Sequence, residues 1–145
     1  MKRVLFVCVH NSGRSQMAAA ILNRMAGGKA VAESAGTEPA EAVNPNAVRA
    51  MAELGIDLSG ARPKLLIQEM VDRADRVITM GCSVEESCPA VFLPNVEDWG
   101  LEDPAGKPLE KVREIRDEMV RRVQALLQEV QETSASEPGT GPESA

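Results

Sequence analysis

The chain has 145 residues, 43% of them hydrophobic and 26% charged, which is typical of a soluble globular protein with one domain. Its net charge of −6 and its aromatic content of 2% argue against nucleic-acid binding, which favours positive surfaces and aromatic stacking. No apolar run approaches the roughly 20 residues of a membrane span, and the run after Met1 is too short for a signal peptide. We therefore expect a cytoplasmic monomer that binds neither membranes nor nucleic acids.

The first predicted element is a buried strand over residues 4–9, a nearly continuous run of apolar and β-branched residues. A polar loop follows, and then a helix over residues 15–25, in which apolar residues recur at helical spacing. Gly27 and Gly28 end this helix. A second strand is predicted over residues 30–35. The order strand, loop, helix, strand indicates a parallel α/β arrangement.

The next helix is predicted to begin with Asn44 as its N-cap and Pro45 at its first position, and to run to Gly55. The remaining predicted elements are a helix over 65–73, strands over 76–80 and 91–94, and a long amphipathic helix over 111–130. This alternation predicts a doubly wound α/β fold, with a parallel sheet covered by helices on both faces. We expect one domain over residues 1–132 and a disordered tail, rich in Ser, Glu, Pro and Gly, over residues 133–145.

The loop between the first strand and the first helix has the spacing Cys8-x5-Arg14-Ser15. Backbone N–H groups of such a loop, together with the helix N-terminus, can bind a tetrahedral oxyanion, and Arg14 can add a bidentate guanidinium. Cysteines at helix N-termini near arginine have pKa values below that of a free thiol, so Cys8 is predicted to be a nucleophilic thiolate. The predicted oxyanion-binding residues are Val9, His10, Asn11, Ser12, Gly13, Arg14 and Ser15.

Three residues of this loop have more specific predicted roles. Ser15 is expected to hydrogen-bond the Cys8 sulfur and tune it, and Gly13 to allow a close approach of the backbone. His10, the only histidine, is expected to tune the site and not to act as a base or a metal ligand. The alternative is that Cys8 is only a buried apolar residue at the end of a strand. The flanking strand and helix favour the nucleophile.

The other two cysteines, Cys82 and Cys88, follow the third predicted strand. The carboxyl ends of parallel strands meet at one edge of the sheet, so these thiols are expected near Cys8. This placement favours a thiol–disulfide relay among the three cysteines. The alternatives are a three-thiolate metal site, although zinc usually requires closer spacing and a fourth ligand, and two unrelated free thiols.

Asp103 lies in the loop between the fourth predicted strand and the long helix, at the same edge. A thiolate that attacks an oxyanion needs a proton donor for the departing oxygen, and Asp103 is the predicted general acid, stiffened by Pro104. Without Cys8, the sequence Asp-Pro-x-Gly would be interpreted as an ordinary turn.

Together these features resemble the thioredoxin-coupled arsenate reductases, which share the fold of the low-molecular-weight protein tyrosine phosphatases. The resemblance covers about residues 3–130. The motifs that carry it are Val7-Cys8-Val9-His10-Asn11-Ser12-Gly13-Arg14-Ser15-Gln16-Met17-Ala18, Ser34-Ala35-Gly36, Val43-Asn44-Pro45-Asn46-Ala47, Thr79-Met80-Gly81-Cys82, Cys88-Pro89 and Trp99-Gly100-Leu101-Glu102-Asp103-Pro104-Ala105-Gly106.

The resemblance implies a four-stranded parallel sheet and an enzyme of arsenic detoxification. Cys8 would attack arsenate bound by Arg14, with Asp103 protonating the leaving hydroxyl. Cys82 would attack Cys8 and release arsenite, and Cys88 would take over the disulfide. Thioredoxin, or a low-molecular-weight thiol, would reduce the Cys82–Cys88 disulfide. No bound cofactor or metal is expected.

The sequence departs from the family at two points. Gly13 stands where Cys or Ala is common, and Ala19 and Lys64 occupy the acidic positions through which some members bind potassium beside Asn11 and Ser34. We therefore expect little or no potassium binding, with Lys64 in place of the cation. Two alternative functions remain: a low-molecular-weight protein tyrosine phosphatase, and a trithiolate module that binds a metal or arsenite.

Overall fold

The computed structural model describes residues 2–80 and 96–135. Its four strands are β1 (Lys2–Cys8), β2 (Ala30–Gly36), β3 (Arg76–Thr79) and β4 (Val96–Asp98). They form one sheet in the order β2-β1-β3-β4, and every pair is parallel. The predicted fold class is therefore confirmed.

Strand β1 lies in the middle of the sheet and separates two hydrophobic clusters. Val4, Phe6 and Cys8 belong to the larger cluster, whereas Leu5 and Val7 belong to the smaller one, because successive side chains of a strand point to opposite faces. Both faces are covered, which explains the unbroken apolar run in the sequence.

Helices cover both faces of the sheet. The larger cluster contains residues of α1 (Arg14–Ala26), α2 (Pro45–Ala52) and α4 (Leu109–Ala135), and the smaller one contains Met70 of α3 (Gln68–Arg73). The apolar stripe predicted for the long helix is buried in the larger cluster: Val112, Ile115, Met119, Val123, Leu126 and Leu127. Among the described helices, none combines the length and apolar character that crossing a bilayer requires.

The only tryptophan of the chain, Trp99, follows β4 and packs against the ring of Phe6. Their ring centroids are 5.5 Å apart, with the planes inclined at 59°. The guanidinium of Arg122 on α4 lies 6.0 Å from the centroid of the Trp99 ring. Trp99 thereby joins the end of the sheet to the long helix.

One helix is shorter than predicted. The pattern predicted a helix from residue 65, but α3 begins at Gln68 because residues 64–66 are extended alongside the end of β2. Gly36 N–H donates to Lys64 O at 2.8 Å, and Leu66 N–H donates to Gly36 O at 2.8 Å. Long-range backbone pairing thus overrides the local helical pattern.

Other boundaries also differ from the predicted ones. Helix α2 ends at Ala52 and is followed by a turn to Gly55, whose φ is 77°. Helix α4 continues to Ala135, into the predicted tail, because neither Gly nor Pro occurs between its first residue, Leu109, and Pro138. The strand predicted over residues 91–94 lies outside the described residues, and the described fourth strand is β4.

Candidate active site

The loop between β1 and α1 has its carbonyl groups turned outward. The segment that follows β2 donates to three of them: Glu38 N–H to Val9 O at 2.8 Å, Ala40 N–H to His10 O at 3.0 Å, and Asn44 N–H to Ser12 O at 2.7 Å. The C=O and N–H of a trans peptide point in opposite directions. The N–H that shares a peptide bond with each of these three carbonyls therefore points inward. The loop therefore presents several inward N–H groups, the arrangement that binds anions.

Gly36 allows this loop to lie directly over the end of β2. A Cβ at residue 36 would lie 2.5 Å from Val9 O and 3.0 Å from Asn11 N. Backbone atoms cannot retreat as a flexible side chain does, so glycine is required at this close approach.

Cys8 is the last residue of β1, and only 4% of its surface is exposed. Its Sγ lies 2.8 Å from Ser15 Oγ and accepts a hydrogen bond from the backbone N–H of Asn11 at 3.1 Å. The sulfur thus lies at the floor of the loop, beside the first turn of α1, where the helix dipole favours negative charge.

The hydrogen bonds of Asn11 determine the direction of the Ser15–Cys8 bond. Asn11 is fully buried, with a left-handed φ of 51° that asparagine tolerates. Its Oδ1 accepts the backbone N–H of Lys64 at 2.8 Å, so its Nδ2 donates to Ser15 Oγ at 2.7 Å. A hydroxyl has one proton, and Ser15 can direct it to the Cys8 sulfur. The Cys8 sulfur thus faces two hydrogen-bond donors, the Ser15 hydroxyl and the backbone N–H of Asn11.

Arg14 is held by two backbone carbonyls at the same edge of the sheet. Its Nη1 donates to Met80 O at 2.9 Å and to Leu101 O at 2.8 Å. Leu101 N–H also donates to Met80 O, at 3.1 Å, which joins the ends of β3 and β4. Because these contacts fix Nη1, the guanidinium plane has a defined orientation towards the loop.

Asp103 faces Arg14 across the mouth of the site. Its Oδ2 lies 3.7 Å from Arg14 Nη2, and its Oδ1 accepts the N–H of Ala105 at 3.0 Å. About half of the side chain is exposed. His10 is also at the mouth, and its Nδ1 donates to Glu38 O at 3.0 Å. The cavity between these residues measures about 20 Å³ and is lined by Cys8, His10, Ser12, Gly13, Arg14, Asp103 and Ala105.

Residues 3–136 match the model of the low molecular weight phosphotyrosine protein phosphatase family. The chain belongs to this family. A curated member, the glutaredoxin arsenate reductase of Synechocystis sp., is 39% identical over 131 residues, which are 90% of this chain and 99% of that protein.

Two solved structures of the family are also similar. One, an arsenate reductase in the phosphate binding state, is 40% identical, with a TM-score of 0.78, over 89% of this chain and 98% of that one. The other, a thioredoxin-dependent arsenate reductase of Corynebacterium glutamicum, is 38% identical, with a TM-score of 0.76, over 92% of this chain and 63% of that one.

The structure brings together one group of the predicted site residues. Cys8, Arg14 and Asp103 line one cavity together with His10, Ser12 and Gly13 of the loop. Ser15 does not line the cavity, but its hydroxyl lies 2.8 Å from the Cys8 sulfur. Cys82 and Cys88 lie outside the described residues. Sequence reasoning gave no role to Gln16, which is 5% exposed and whose Nε2 donates to Asn11 Oδ1 at 3.0 Å. The sequence signal that could have identified Gln16 is its position as a polar residue just before the apolar residues of α1.

The residues beside the loop do not fit the potassium site of some family members. Asn11 Oδ1 already accepts hydrogen bonds from Gln16 Nε2 and Lys64 N–H, which occupy both of its lone pairs. The two positions where the family has acidic ligands hold Ala19 and Lys64. Lys64 lines a neighbouring cavity together with Ser34, and a lysine ammonium there disfavours a metal cation.

Proposed function

We propose that this protein is an arsenate reductase, which converts arsenate to arsenite for arsenic detoxification. The observation that carries the proposal is the Cys8 sulfur, which meets two hydrogen-bond donors at the floor of an anion-binding loop. The similarity to arsenate reductases at 38–40% identity over most of the chain supports arsenate as the substrate.

In the proposed first step, Cys8 attacks arsenic while the loop N–H groups and Arg14 bind the arsenate oxygens. Asp103 donates a proton to the departing hydroxyl, which leaves as water, and a Cys8–arsenic bond forms.

The second step transfers electrons by a cysteine relay. Cys82 attacks the Cys8 sulfur, the electron pair of the sulfur–arsenic bond stays on arsenic, and As(V) becomes As(III) as arsenite leaves. The two sulfurs are oxidised to a Cys8–Cys82 disulfide. Cys88 then attacks Cys82, which frees Cys8 as a thiolate and leaves a Cys82–Cys88 disulfide.

Two electrons and two protons are then needed to reduce the Cys82–Cys88 disulfide. We propose thioredoxin as the donor, because a similar structure is a thioredoxin-dependent enzyme. Glutaredoxin is the first alternative donor, because one relative is named a glutaredoxin arsenate reductase. A low-molecular-weight thiol is the second alternative. Comparing the three donors at equal thiol concentration in an arsenate reduction assay distinguishes them.

The decisive experiment compares arsenate reduction with phosphatase activity in cysteine variants. Arsenate-dependent NADPH oxidation with thioredoxin and its reductase is expected in the wild type and lost in Cys8→Ser, Cys82→Ser and Cys88→Ser. Hydrolysis of p-nitrophenyl phosphate is expected to be lost only in Cys8→Ser. Equal loss of both activities in Cys82→Ser would overturn the relay.

A phosphatase is the second candidate function, since the family model is named for phosphotyrosine phosphatases and the same loop suits phosphate. Phosphate and arsenate are near-isosteres, so residual phosphatase activity is expected. If the physiological function were phosphatase activity, replacing Cys82 and Cys88 would leave all turnover intact, and no Cys82–Cys88 disulfide would form on exposure to arsenate. Mass spectrometry of the arsenate-treated protein detects that disulfide.

A further inference from the structure

Gly13 touches Pro104, a residue far away in the sequence and next to Asp103. A Cβ at residue 13 would lie 2.8 Å from Pro104 Cγ and 3.5 Å from Pro104 Cδ. The first distance is shorter than real Cβ contacts, and a proline ring cannot rotate away as a flexible side chain does. The φ of Gly13 is −139°, outside the left-handed region, so its φ does not require glycine. Glycine at this position leaves room for the Pro104 ring.

Pro104 is buried at this contact and is fixed from several sides. Its carbonyl accepts the N–H of Lys107 at 3.0 Å, and Lys107 O in turn accepts Asn46 Nδ2 at 3.1 Å. Glu102 pairs with Lys107 and, at 3.2 Å, with Lys111 of α4. The segment from Glu102 to Lys107 is thus tied to α2 and α4, and it lies against the anion loop at a residue that has no side chain.

We propose that this contact determines which oxyanions the site accepts. With Pro104 against Gly13, Asp103 and Ala105 form one wall of the cavity that Cys8 and Arg14 also line. An inorganic oxyanion presents only oxygens to Asp103 and Ala105. An aryl ester must pass its ring between these residues and the loop, which the contact opposes. Gly13 and Pro104 are therefore specificity-determining residues, which favour inorganic oxyanions over phosphate monoesters.

The inference rests on the proposed function in one respect, since arsenate would be the favoured inorganic oxyanion. The test of the inference does not depend on the proposed function, because it uses inorganic phosphate and p-nitrophenyl phosphate and needs no cysteine relay. Loss of arsenate reduction would thus count against the proposed function and leave the selectivity measurement interpretable. The p-nitrophenolate group leaves readily without protonation, so the assay reports access more than acid catalysis by Asp103.

The experiment compares Gly13→Ala with Gly60→Ala. A Cβ at Gly60 meets nothing within 4 Å, so this variant is a matched control for the change of glycine to alanine. Two quantities are measured: kcat/KM for p-nitrophenyl phosphate, and the inhibition constant of inorganic phosphate. In Gly13→Ala the ratio of ester turnover to phosphate affinity is expected to rise roughly tenfold, because overpacking displaces the Pro104 segment. In Gly60→Ala the ratio should not change.

Pro104→Ala tests the same contact from the other side and removes the ring without crowding the loop. It should raise the same ratio, and the double variant Gly13→Ala/Pro104→Ala should resemble either single variant, because all three disrupt one contact. Thermal melting identifies any variant that does not fold. If one single variant does not fold, the ratio measured in the other single variant tests the inference. A ratio that stays constant in the folded variants, or effects of the two substitutions that multiply, would overturn the inference.

Discussion

The hydroxyl oxygen of Ser15 lies 2.8 Å from the sulfur of Cys8 and accepts a hydrogen bond from Asn11 Nδ2. The Cys8 sulfur and the Ser15 hydroxyl therefore belong to one buried network, which continues through Asn11 to the backbone N–H of Lys64. The network connects the end of the central strand to the first turn of α1 and to the segment beside β2.

Replacing Ser15 with alanine is expected to slow the reaction of Cys8 with iodoacetamide at pH 7 roughly tenfold or more, because a hydrogen bond to a charged group contributes about 1.5–3 kcal/mol. The measurement uses the Cys82→Ser/Cys88→Ser background, in which only Cys8 can be labelled. Ser15→Thr keeps the hydroxyl and should retain most of the rate. An unchanged rate in Ser15→Ala would mean that this hydroxyl does not stabilise the thiolate.

Arg14→Lys is expected to lower kcat/KM for arsenate roughly 100-fold or more, the order of effect seen when one oxyanion donor is lost. A lysine ammonium cannot hold both the Met80 and Leu101 carbonyls and still present a planar pair of donors. Arg24→Lys is the control, since Arg24 lies at the far end of α1 and donates to Gly55 O. If Arg14→Lys had almost no effect, a trithiolate binding module would become the better interpretation.

Potassium is expected to leave the enzyme unaffected. Exchanging sodium for potassium chloride at constant ionic strength should change kcat/KM for arsenate less than about twofold and leave Tm unchanged, because a cation that bound the native state would raise Tm. The physical reason is that Asn11 Oδ1 is already occupied and Lys64 supplies a positive charge nearby. A several-fold rise in turnover with potassium would contradict this expectation.

The carboxylate of Glu53 is expected to make the protein less stable at acid pH than at neutral pH. Hydrogen bonds from Arg113, and next from Arg116, lower the pKa of Glu53 from 4.5 to about 2. A depressed pKa means that the pairing stabilises the fold fully above the unfolded value of 4.5 and is lost as pH falls through about 2.

The corresponding measurement is the Tm of the wild type and of Glu53→Gln at several pH values. The wild type should melt at a higher temperature at pH 7, and the difference should shrink below about pH 4.5 and vanish near pH 2. Glu114→Gln, which removes an exposed partner of Lys111 on the same helix, should show little difference at any pH. A Tm difference independent of pH would show that the charge of Glu53 is not responsible.

Local signals in the sequence predict the buried strand β1, the cap of α2 and the position of the loop between β1 and α1. The apolar run of β1 requires burial on both faces, Asn44 caps α2 through the N–H of Asn46 at 2.8 Å, and the loop follows from the spacing of Cys8 and Arg14. Each of these depends on residues that are close together along the chain, which is the range over which periodicity and capping patterns are informative.

Contacts between distant segments could not be predicted in the same way. Nothing local to residues 64–66 indicates that they pair with Gly36, and the predicted helix began at residue 65. Likewise, Gly13 was expected to let the backbone approach closely, but its partner, Pro104, depends on how α2 and α4 hold the segment around Lys107. The orientation of Arg14 by Met80 and Leu101 has the same origin.

The position of Trp99 makes it an intrinsic fluorescence probe of the candidate site. The chain contains one tryptophan and no tyrosine, so its near-ultraviolet fluorescence originates almost entirely from one indole. That indole is two residues from Leu101, whose carbonyl accepts a hydrogen bond from Arg14, and it packs at an inclined angle against Phe6 in the strand that ends at Cys8. Emission intensity is therefore expected to change when an oxyanion binds at the candidate site, without any attached dye.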